Sequence, residues 1–402
     1  MKIGIIREGK VPIDRRVPLL PEQCQLLKQK YPQLSFAIQS SSIRCVPDED
    51  YRKLGLEVVE DISDCDVIFG VKEVPIPQLI ANKTFFFFSH TIKKQAYNQK
   101  LLRAILDQHI QLVDYECLTD TQCNRIVAFG RFAGIVGAYN GILAYGKRHN
   151  SFHLRRAFEC KDLKDLRTEF AKVKLPPIKV VMTGGGRVGN GIAEVLEGMN
   201  IKQVSPGDFL QHSYDYPVFT RLRSTDYYQP QTNQAGEQPN FYDNPEKFDV
   251  DFLKYTQQAQ VLISGHYWNP KAAVLFTKED IKQPEFKIEV IADVTCDIEG
   301  SIPSTLRATT IEAPFYDYDP VTGEEKGEFS NLEHLNMMTV DNLPCELPYD
   351  ASESFGNQLI EYVFPAFFDN DSQQIIGKAS ITKNGSLTEL YSYLEDYANT
   401  IV

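Results

Sequence analysis

The segment that most restricts the fold is PPIKVVMTGGGRVGNGIAEVLEGM, at residues 176–199. An apolar run typical of a buried strand is followed by GGGRVG, and a pattern with helical period begins directly afterwards. Gly184, Gly186 and Gly189 occupy the glycine positions of G-x-G-x-x-G. A lone glycine pattern is weak evidence, but a preceding strand and a following helix make a dinucleotide-binding turn credible. The segment therefore predicts a Rossmann unit, and the alternative is a plain glycine turn in an α/β domain.

Each glycine of this turn has its own physical role in such a unit. Gly184 allows the tight turn, Gly186 lets the backbone approach a pyrophosphate, and Gly189 allows close packing of the helix on the strand. The helix N-terminus attracts phosphate groups. We expect Gly184, Gly186, Arg187 and Val188 to line the pyrophosphate.

Strands and helices alternate along the first part of the chain, which predicts a parallel sheet with helices on its faces. The predicted strands are at 2–8, 36–40, 65–73, 85–90 and 110–116, and the predicted helices are at 21–32, 48–55 and 93–108. The run FFFF at 85–88 is continuously apolar, which is typical of a strand buried on both faces.

Ionisable residues end three of these predicted strands. Lys72 ends VIFGVK, His90 ends FFFFSH, and Glu116 ends IQLVDYE. Ligands of open α/β sheets bind just past the carboxyl ends of the strands. The sequence therefore predicts that these side chains share one rim, whereas Lys93 and Lys94 are expected to be a solvated helix start.

Charge and cysteine content exclude several classes of function. The formal net charge of −12 argues against a general nucleic-acid binder, and it means that an anionic substrate needs a local basic cluster. The eight cysteines form no C-x-x-C pair, so we expect free thiols and no metal site. The N-terminus MKIGIIREGK is unlike a signal peptide, and no apolar run of about 18 residues occurs. We expect a soluble cytoplasmic protein without membrane partners.

The domain organisation follows from where the patterns change. Further strands at 259–265 and 287–295 extend the Rossmann unit, and the small-residue segment 127–149 predicts a tightly packed helix bridging the two units. The polar segment 223–248 has no clear period and predicts a surface insertion or lid. The segment 341–368 begins as a loop and runs into a helix, as a chain returning to its first domain would do.

We therefore predict two Rossmann-like α/β domains with parallel sheets and an active-site cleft between them. The first is discontinuous, at residues 1–130 and 337–402, and the dinucleotide-binding domain is at 131–336. The length of the whole chain, 402 residues, is typical of two or three domains.

Long and unusual stretches occur along almost the whole chain. They are DRRVPLLP (14–21), GVKEVP (70–75), FFSHTIKKQ (87–95), VDYECL (113–118), RIVAFGRFAG (125–134), the glycine turn, ISGHYW (263–268), IADVTCDIEGSI (291–302) and VDNLPCELPYDASESFG (340–356). With these stretches the chain resembles the superfamily of alanine dehydrogenases, transhydrogenases and saccharopine dehydrogenases. Within it, the chain is most similar to the lysine-forming saccharopine dehydrogenases, the lysine-ketoglutarate reductase half of aminoadipic semialdehyde synthase.

This resemblance implies that lysine and 2-oxoglutarate condense and that a nicotinamide cofactor reduces the imine to saccharopine, or the reverse. Imine formation needs groups that move protons, which suits a lysine and a histidine at strand ends. The resemblance implies that Lys72 and His90 are the acid/base pair. Glu73 and Glu116 would tune that pair electrostatically, although simple ion pairing is an open alternative for Glu73.

The resemblance also implies binding residues. Both substrates carry α-carboxylates, for which arginine offers bidentate contacts. We expect Arg16 and Arg125 to make them, with Arg15 as an open alternative to Arg16. Asp297 and Asp341 match positions near the nicotinamide, and Asp293 is expected to be structural.

The predicted second Rossmann strand, IKQVSPGD at 201–208, departs from the pattern of NAD enzymes. Ser205 stands about where an acidic residue would bind the adenosine ribose, and Asp208 arrives late. This departure leaves NADP open, with Arg187, Arg221 or Arg223 available to hold the 2′-phosphate. The resemblance to lysine-ketoglutarate reductases, which generally use NADPH, implies NADP rather than NAD.

Three alternative functions remain open from the sequence. The first is reductive amination of pyruvate in the manner of alanine dehydrogenase, with a smaller pocket. The second is a cofactor-binding regulator that has lost catalysis, and the third is condensation of another amine with a 2-oxo acid. Each keeps small molecules as partners and leaves a homo-oligomer possible.

Overall fold

The computed structural model describes residues 1–231 and 240–399. Its β-strands, numbered in chain order, are β1 (Lys2–Ile5), β2 (Ser35–Gln39), β3 (Glu57–Val59), β4 (Val67–Phe69), β5 (Thr84–Phe87), β6 (Gln111–Asp114), β7 (Lys179–Thr183), β8 (Lys202–Val204), β9 (Val218–Leu222), β10 (Tyr228–Pro230), β11 (Phe248–Val250), β12 (Val261–Ser264), β13 (Val290–Asp293), β14 (Phe315–Tyr318), β15 (Glu325–Lys326), β16 (Leu335–Met338), β17 (Ser380–Lys383) and β18 (Ser386–Leu387).

The α-helices of the same residues, also in chain order, are α1 (Pro21–Lys30), α2 (Asp48–Lys53), α3 (Gln99–Asp107), α4 (Gly130–Arg148), α5 (Leu163–Thr168), α6 (Arg187–Gly198), α7 (Pro206–Gln211), α8 (Ser224–Tyr227), α9 (Leu253–Thr256), α10 (Lys278–Ile281), α11 (Pro348–Gln358), α12 (Ile375–Ala379) and α13 (Glu395–Asn399). None of these helices is long and apolar enough to cross a membrane.

The chain divides into two compact units. The first unit comprises Met1–Phe129 and Pro348–Val402, and the second comprises Gly130–Leu347. The predicted boundary at residue 337 falls inside β16, which pairs with β13 in the second unit. The chain therefore leaves the second unit at Leu347, about ten residues later than the sequence patterns suggest.

The first unit is built on a mixed sheet in the order β18-β17-β6-β5-β4-β1-β2-β3. Strands β1 to β6 are parallel to one another, and the C-terminal strands β17 and β18 add an antiparallel edge next to β6. Phe85, Phe86 and Phe87 are fully buried, and Phe88 is 6% exposed. Because successive side chains of a strand point to opposite faces, both faces of β5 are covered, as predicted.

The second unit is built on another mixed sheet, in the order β15-β14-β16-β13-β12-β7-β9-β8. Only β14 and β15 are antiparallel to their neighbours. Helix α4 is buried along most of its length and crosses α6 closely. The approach is so close that a Cβ at Gly134 would lie only 2.0 Å from the carbonyl oxygen of Val188. Two Rossmann-like α/β units with predominantly parallel sheets confirm the predicted fold class.

The segment predicted as a surface insertion or lid differs from that prediction where it is described. Residues 232–239 lie outside the described residues. On either side, β10 and β11 form an antiparallel ribbon. Tyr227, Tyr228 and Phe248 are buried in the core of the second unit. The described part of this segment is therefore packed on aromatic residues, which the search for a period missed.

Candidate active site and dinucleotide turn

The predicted acid and base residues lie at adjacent strand ends of the first unit. Lys72 and Glu73 follow β4, His90 follows β5, and β4 pairs in parallel with β5. The structure brings Nδ1 of His90 to 2.7 Å from Oε1 of Glu73. His90 itself has the left-handed φ of 53°. The strand end therefore turns sharply at His90 and directs its ring to the neighbouring strand end.

Glu73 is held between two cationic or protonatable groups. Its second oxygen, Oε2, accepts a hydrogen bond from Nζ of Lys10 at 2.5 Å. Burial opposes ionisation, but the hydrogen bonds from His90 and Lys10 outweigh it and lower the pKa of Glu73 to about 2. An ionised Glu73 keeps the proton of a neutral His90 on Nδ1 and leaves Nε2 to exchange protons. Lys10 was missed because it lies in a loop far from Glu73 in sequence.

Asp114 fixes the strand ends around this pair. This fully buried carboxylate accepts hydrogen bonds from the backbone N–H of Ser89 at 2.9 Å and from that of Glu116 at 2.7 Å. The hydroxyl of Ser89 also donates to Asp114. The residue before His90 and the turn that carries Glu116 therefore share one anchor, which strand patterns alone do not reveal.

Glu116 pairs with two cations. Its Oε1 lies 3.3 Å from Nζ of Lys93 and 3.7 Å from Nη1 of Arg125. Lys93 is as exposed as expected of a solvated lysine, with 48% of its side chain accessible, and it is also an ion-pair partner of a predicted site residue. The guanidinium of Arg125 also lies 5.4 Å from the ring centre of Phe88. This second cluster supplies positive charge beside the His90 strand end.

The two predicted carboxylate-binding arginines differ in accessibility. Arg16 is only 3% exposed, and it donates from Nε and Nη2 to the two oxygens of Asp14 at 3.0 and 2.6 Å. The side chain of Arg125 is 38% exposed, and Arg15 is exposed. Arg125 is therefore the more accessible of the predicted pair, and the roles of both stay predictions.

The glycine turn of the second unit has the shape that a bound dinucleotide requires. Strand β7 ends at Thr183, and α6 begins at Arg187. Gly184 has φ +109°, and a Cβ there would lie 2.4 Å from the carbonyl oxygen of Gly265. A Cβ at Gly186 would meet nothing within 4 Å. The open side of the turn is thus where a pyrophosphate would approach, and these residues fit a dinucleotide cofactor.

Two arginines flank this turn. Nε of Arg221 donates to the carbonyl oxygen of Gly184 at 3.0 Å, and its Nη2 donates to Oδ1 of Asn190 at 2.8 Å. The exposed Arg223 side chain passes 3.8 Å from the Cβ position of Gly185. Burial and the neighbouring charge of Arg223 lower the pKa of Arg221.

The strand beside β7 differs from the one expected for the adenosine ribose. Strand β8, which holds the residues before Ser205, lies at the edge of the sheet, and β9 is the strand that pairs with β7. In a Rossmann unit, the strand next to the glycine-bearing strand ends at the adenosine ribose. By that pattern the end of β9, with Arg221 and Arg223, corresponds to the ribose position, and the cofactor contacts themselves stay predictions.

Comparison with known proteins agrees with this arrangement. Residues 4–136 match the family model "Alanine dehydrogenase/PNT, N-terminal domain". The fold is similar to that of a solved L-alanine dehydrogenase, with a TM-score of 0.67 at 16% identity over 99% of both chains. The sequence is 32% identical over 447 residues to the mitochondrial alpha-aminoadipic semialdehyde synthase of Mus musculus, covering 98% of this chain. Residues 4–136 are thus similar to the alanine dehydrogenase/PNT N-terminal domain, and almost the whole chain is similar to part of an aminoadipic semialdehyde synthase.

The similar proteins differ in how much of their length this chain covers. The chain spans 47% of the mouse protein, about half the length of the curated relatives of that type. It is also 24% identical to the saccharopine dehydrogenase [NAD(+), L-lysine-forming] of Emericella nidulans, over 89% of this chain and 90% of that protein. These similarities support an oxidoreductase of the amino-acid dehydrogenase type. The cytoplasmic location stays a prediction, and the mouse relative is named as mitochondrial.

Asp297 and Asp341 were predicted to lie near the nicotinamide, and Asp293 was predicted to have a structural role. Asp293 is fully buried and accepts hydrogen bonds from Ser264 at 2.5 Å and Thr305 at 2.6 Å, which supports a structural role. Asp297 and Asp341 are exposed and follow the neighbouring parallel strands β13 and β16. Their cofactor contacts stay predictions. Among residues 1–231 and 240–399, no cluster of His, Cys, Asp and Glu could hold a metal ion.

Replacing Gly189 with alanine should abolish tight cofactor binding. A Cβ at this position would lie 2.0 Å from the carbonyl oxygen of Gly184, so the helix must move away from the turn. We expect the dissociation constant of NADPH, measured by calorimetry, to rise at least about tenfold. Gly207→Ala is the matched control, since a Cβ there meets nothing closer than 3.9 Å. Equal affinity in both variants would contradict the role of Gly189.

Proposed function

We propose that the protein interconverts lysine, 2-oxoglutarate and a reduced nicotinamide cofactor with saccharopine and the oxidised cofactor. The observation that carries this proposal is the hydrogen-bonded series Lys10–Glu73–His90, which adjoins Lys72 at the carboxyl edge of the first sheet. Similarity to a lysine-forming saccharopine dehydrogenase across most of both chains supports the same substrates. The likeness to alanine dehydrogenase, at 16% identity, supports the fold alone.

In the forward direction, the amine nitrogen of lysine attacks the carbonyl carbon of 2-oxoglutarate. The carbon–nitrogen bond forms, the nitrogen loses two protons as the imine forms, and the former carbonyl oxygen takes up two protons and leaves as water. Nε2 of His90 suits proton uptake from nitrogen, because Glu73 holds the other ring nitrogen at 2.7 Å. The Lys72 ammonium suits proton delivery to the departing oxygen.

The second step reduces the imine. The imine carbon would receive a hydride from a nicotinamide cofactor held at the glycine turn 184–189, and the nitrogen would take up one proton. Overall, lysine, 2-oxoglutarate, NAD(P)H and one proton give saccharopine, NAD(P)+ and water. Glu73 stays ionised at assay pH because its pKa is about 2, so it orients His90 and does not compete for the proton.

The substrate carboxylates need cations, although the whole chain carries a net charge of −12. Arg125 and Lys93 form a basic cluster around Glu116 beside the His90 strand end. Accessible arginine is suited to bidentate contact with a carboxylate. We therefore assign Arg125 to a substrate carboxylate, and Arg16 to either a carboxylate contact or support of the loop through Asp14.

We propose NADP as the preferred cofactor, with Arg223 holding the 2′-phosphate. Arg223→Ala should raise KM for NADPH about 10- to 100-fold, since a hydrogen bond to a charged group is worth about 1.5–3 kcal/mol. The KM for NADH should change by less than about threefold because NADH lacks that phosphate. Steady-state kinetics with both cofactors measure the difference, and Arg307→Ala is a control arginine paired with Glu325. Equal increases with both cofactors would argue against the assignment.

The proposed reaction is tested by following nicotinamide absorbance with two substrate pairs. One pair is lysine with 2-oxoglutarate, the other is pyruvate with ammonium, and each is run with NADPH and NADH. Oxidation with lysine and 2-oxoglutarate alone is the expected result. Oxidation with pyruvate alone would move the protein to the alanine dehydrogenase alternative, and no oxidation in any mixture would favour the cofactor-binding regulator.

A further inference from the structure

The loop after β1 holds the Lys72 segment at a second point. Glu8 lies in this loop and is half-buried. Its Oε1 accepts the backbone N–H of Val71 at 2.7 Å, and its Oε2 accepts the backbone N–H of Lys72 at 2.9 Å. These are two successive amides, at the place where the chain leaves β4. The proposed function gives Glu8 no role.

The same loop also contributes Lys10, which binds the carboxylate of Glu73 at 2.5 Å. The backbone at Lys72 and the side chain of Glu73 are thus both held from residues 8–10. Two hydrogen bonds from one carboxylate to consecutive amides restrict the backbone dihedrals between them. Restricting them restricts the direction in which the Lys72 side chain leaves the strand end.

The charges around Glu8 make this contact dependent on its proton. The groups that face Glu8 are Asp14, Arg16 and Tyr115, besides the amides of Val71 and Lys72. Burial and the Asp14 carboxylate raise the pKa of Glu8 to about 8, and the two amide hydrogen bonds and Arg16 oppose the rise. An ionised carboxylate is the stronger acceptor. The hold on the amides therefore strengthens as Glu8 loses its proton.

We propose that Glu8 is a positioning residue, whose carboxylate fixes the backbone at Val71 and Lys72 and thereby holds the Lys72 ammonium in its reacting position. This inference rests on the proposed function for its catalytic consequence. The contact itself does not, so contact and consequence can be tested separately. Precise placement of a reacting group is worth large factors in rate, about 100-fold for a shift of about 1 Å.

Hydrogen–deuterium exchange tests the contact without any substrate. Above pH 8, where Glu8 is ionised, the amides of Val71 and Lys72 should exchange at least about tenfold faster in Glu8→Gln and Glu8→Ala than in the unaltered protein. Amides of β4 and β5 should be unchanged, as should all amides in the control Glu22→Gln, whose exposed carboxylate lies on α1. Unchanged exchange at Val71 and Lys72 would overturn the inference. So would equally faster exchange throughout β4, which indicates general support of the fold.

Kinetics then test the consequence. Above pH 8, Glu8→Gln should lower kcat with lysine and 2-oxoglutarate by about tenfold or more, with the NADPH dissociation constant unchanged. In the unaltered protein, kcat should rise as the pH increases through about 8. In Glu8→Gln, this rise of kcat with pH should be absent. If the unaltered protein is active and Glu8→Gln matches it at every pH, the inference fails and the proposed function stands. If the unaltered protein is inactive with these substrates, the proposed function fails, and exchange still decides the contact.

Discussion

Replacing Lys72 with methionine should lower kcat for saccharopine formation by about 10²- to 10⁴-fold, the usual contribution of a positioned general acid or base. Methionine keeps much of the length of the side chain and removes the proton donor. Because the cofactor turn lies in the other unit, at residues 184–189, the dissociation constant of NADPH should stay within about twofold. Steady-state kinetics and calorimetric titration give the two values.

The matched control for Lys72→Met is Lys53→Met, because Lys53 is an exposed lysine that pairs with Asp50 on α2. It should keep full activity. A kcat for Lys72→Met within about threefold of the control would remove Lys72 from the chemistry. A parallel loss of NADPH affinity would indicate damage to the fold and not to catalysis.

Replacing Phe86 with alanine should lower the free energy of unfolding by about 3–5 kcal/mol, as large-to-small changes of buried aromatic residues do. Phe86 is fully buried, and its ring stacks on Phe69 at 4.5 Å between centres. It also lies 5.7 Å from the ring of Phe367. The change would leave a cavity in the core beside β5, the strand that His90 follows.

Urea unfolding followed by circular dichroism measures this loss. Phe158→Ala is the control, because Phe158 is 45% exposed in the second unit and should cost less than about 1 kcal/mol. The transition of the first unit should move to lower urea in Phe86→Ala alone. Equal transitions in the two variants would contradict the account of β5 as the buried centre of its sheet.

Local signals in the sequence predicted much of this arrangement. The run FFFF identified a strand buried on both faces, because a parallel sheet covered by helices needs no polar face. The turn GGGRVG identified the start of α6, since only glycine fits at Gly184 and Gly189. The strand ends brought Glu73 and His90 into contact, because carboxyl ends of neighbouring parallel strands meet at one edge.

Other features depend on contacts between distant residues, which periodicity does not report. The order of β8 and β9 is decided by how two short strands pack, so the sequence did not reveal that β9, and not the strand before Ser205, lies beside β7. Lys10 and Glu8 lie in a loop without a pattern, and their partners are more than sixty residues away. Lys93 follows a strand in a helix-like pattern, and only the structure reveals its pairing with Glu116.

The most direct test of the central claim is the identity of the product formed with NADPH that carries deuterium at the transferred position. The protein is incubated with lysine and 2-oxoglutarate, and the products are analysed by mass spectrometry. The account predicts saccharopine that carries one deuterium on the carbon that was the carbonyl carbon of 2-oxoglutarate. Deuterated glutamate formed from ammonium without lysine, or saccharopine without deuterium, would contradict it.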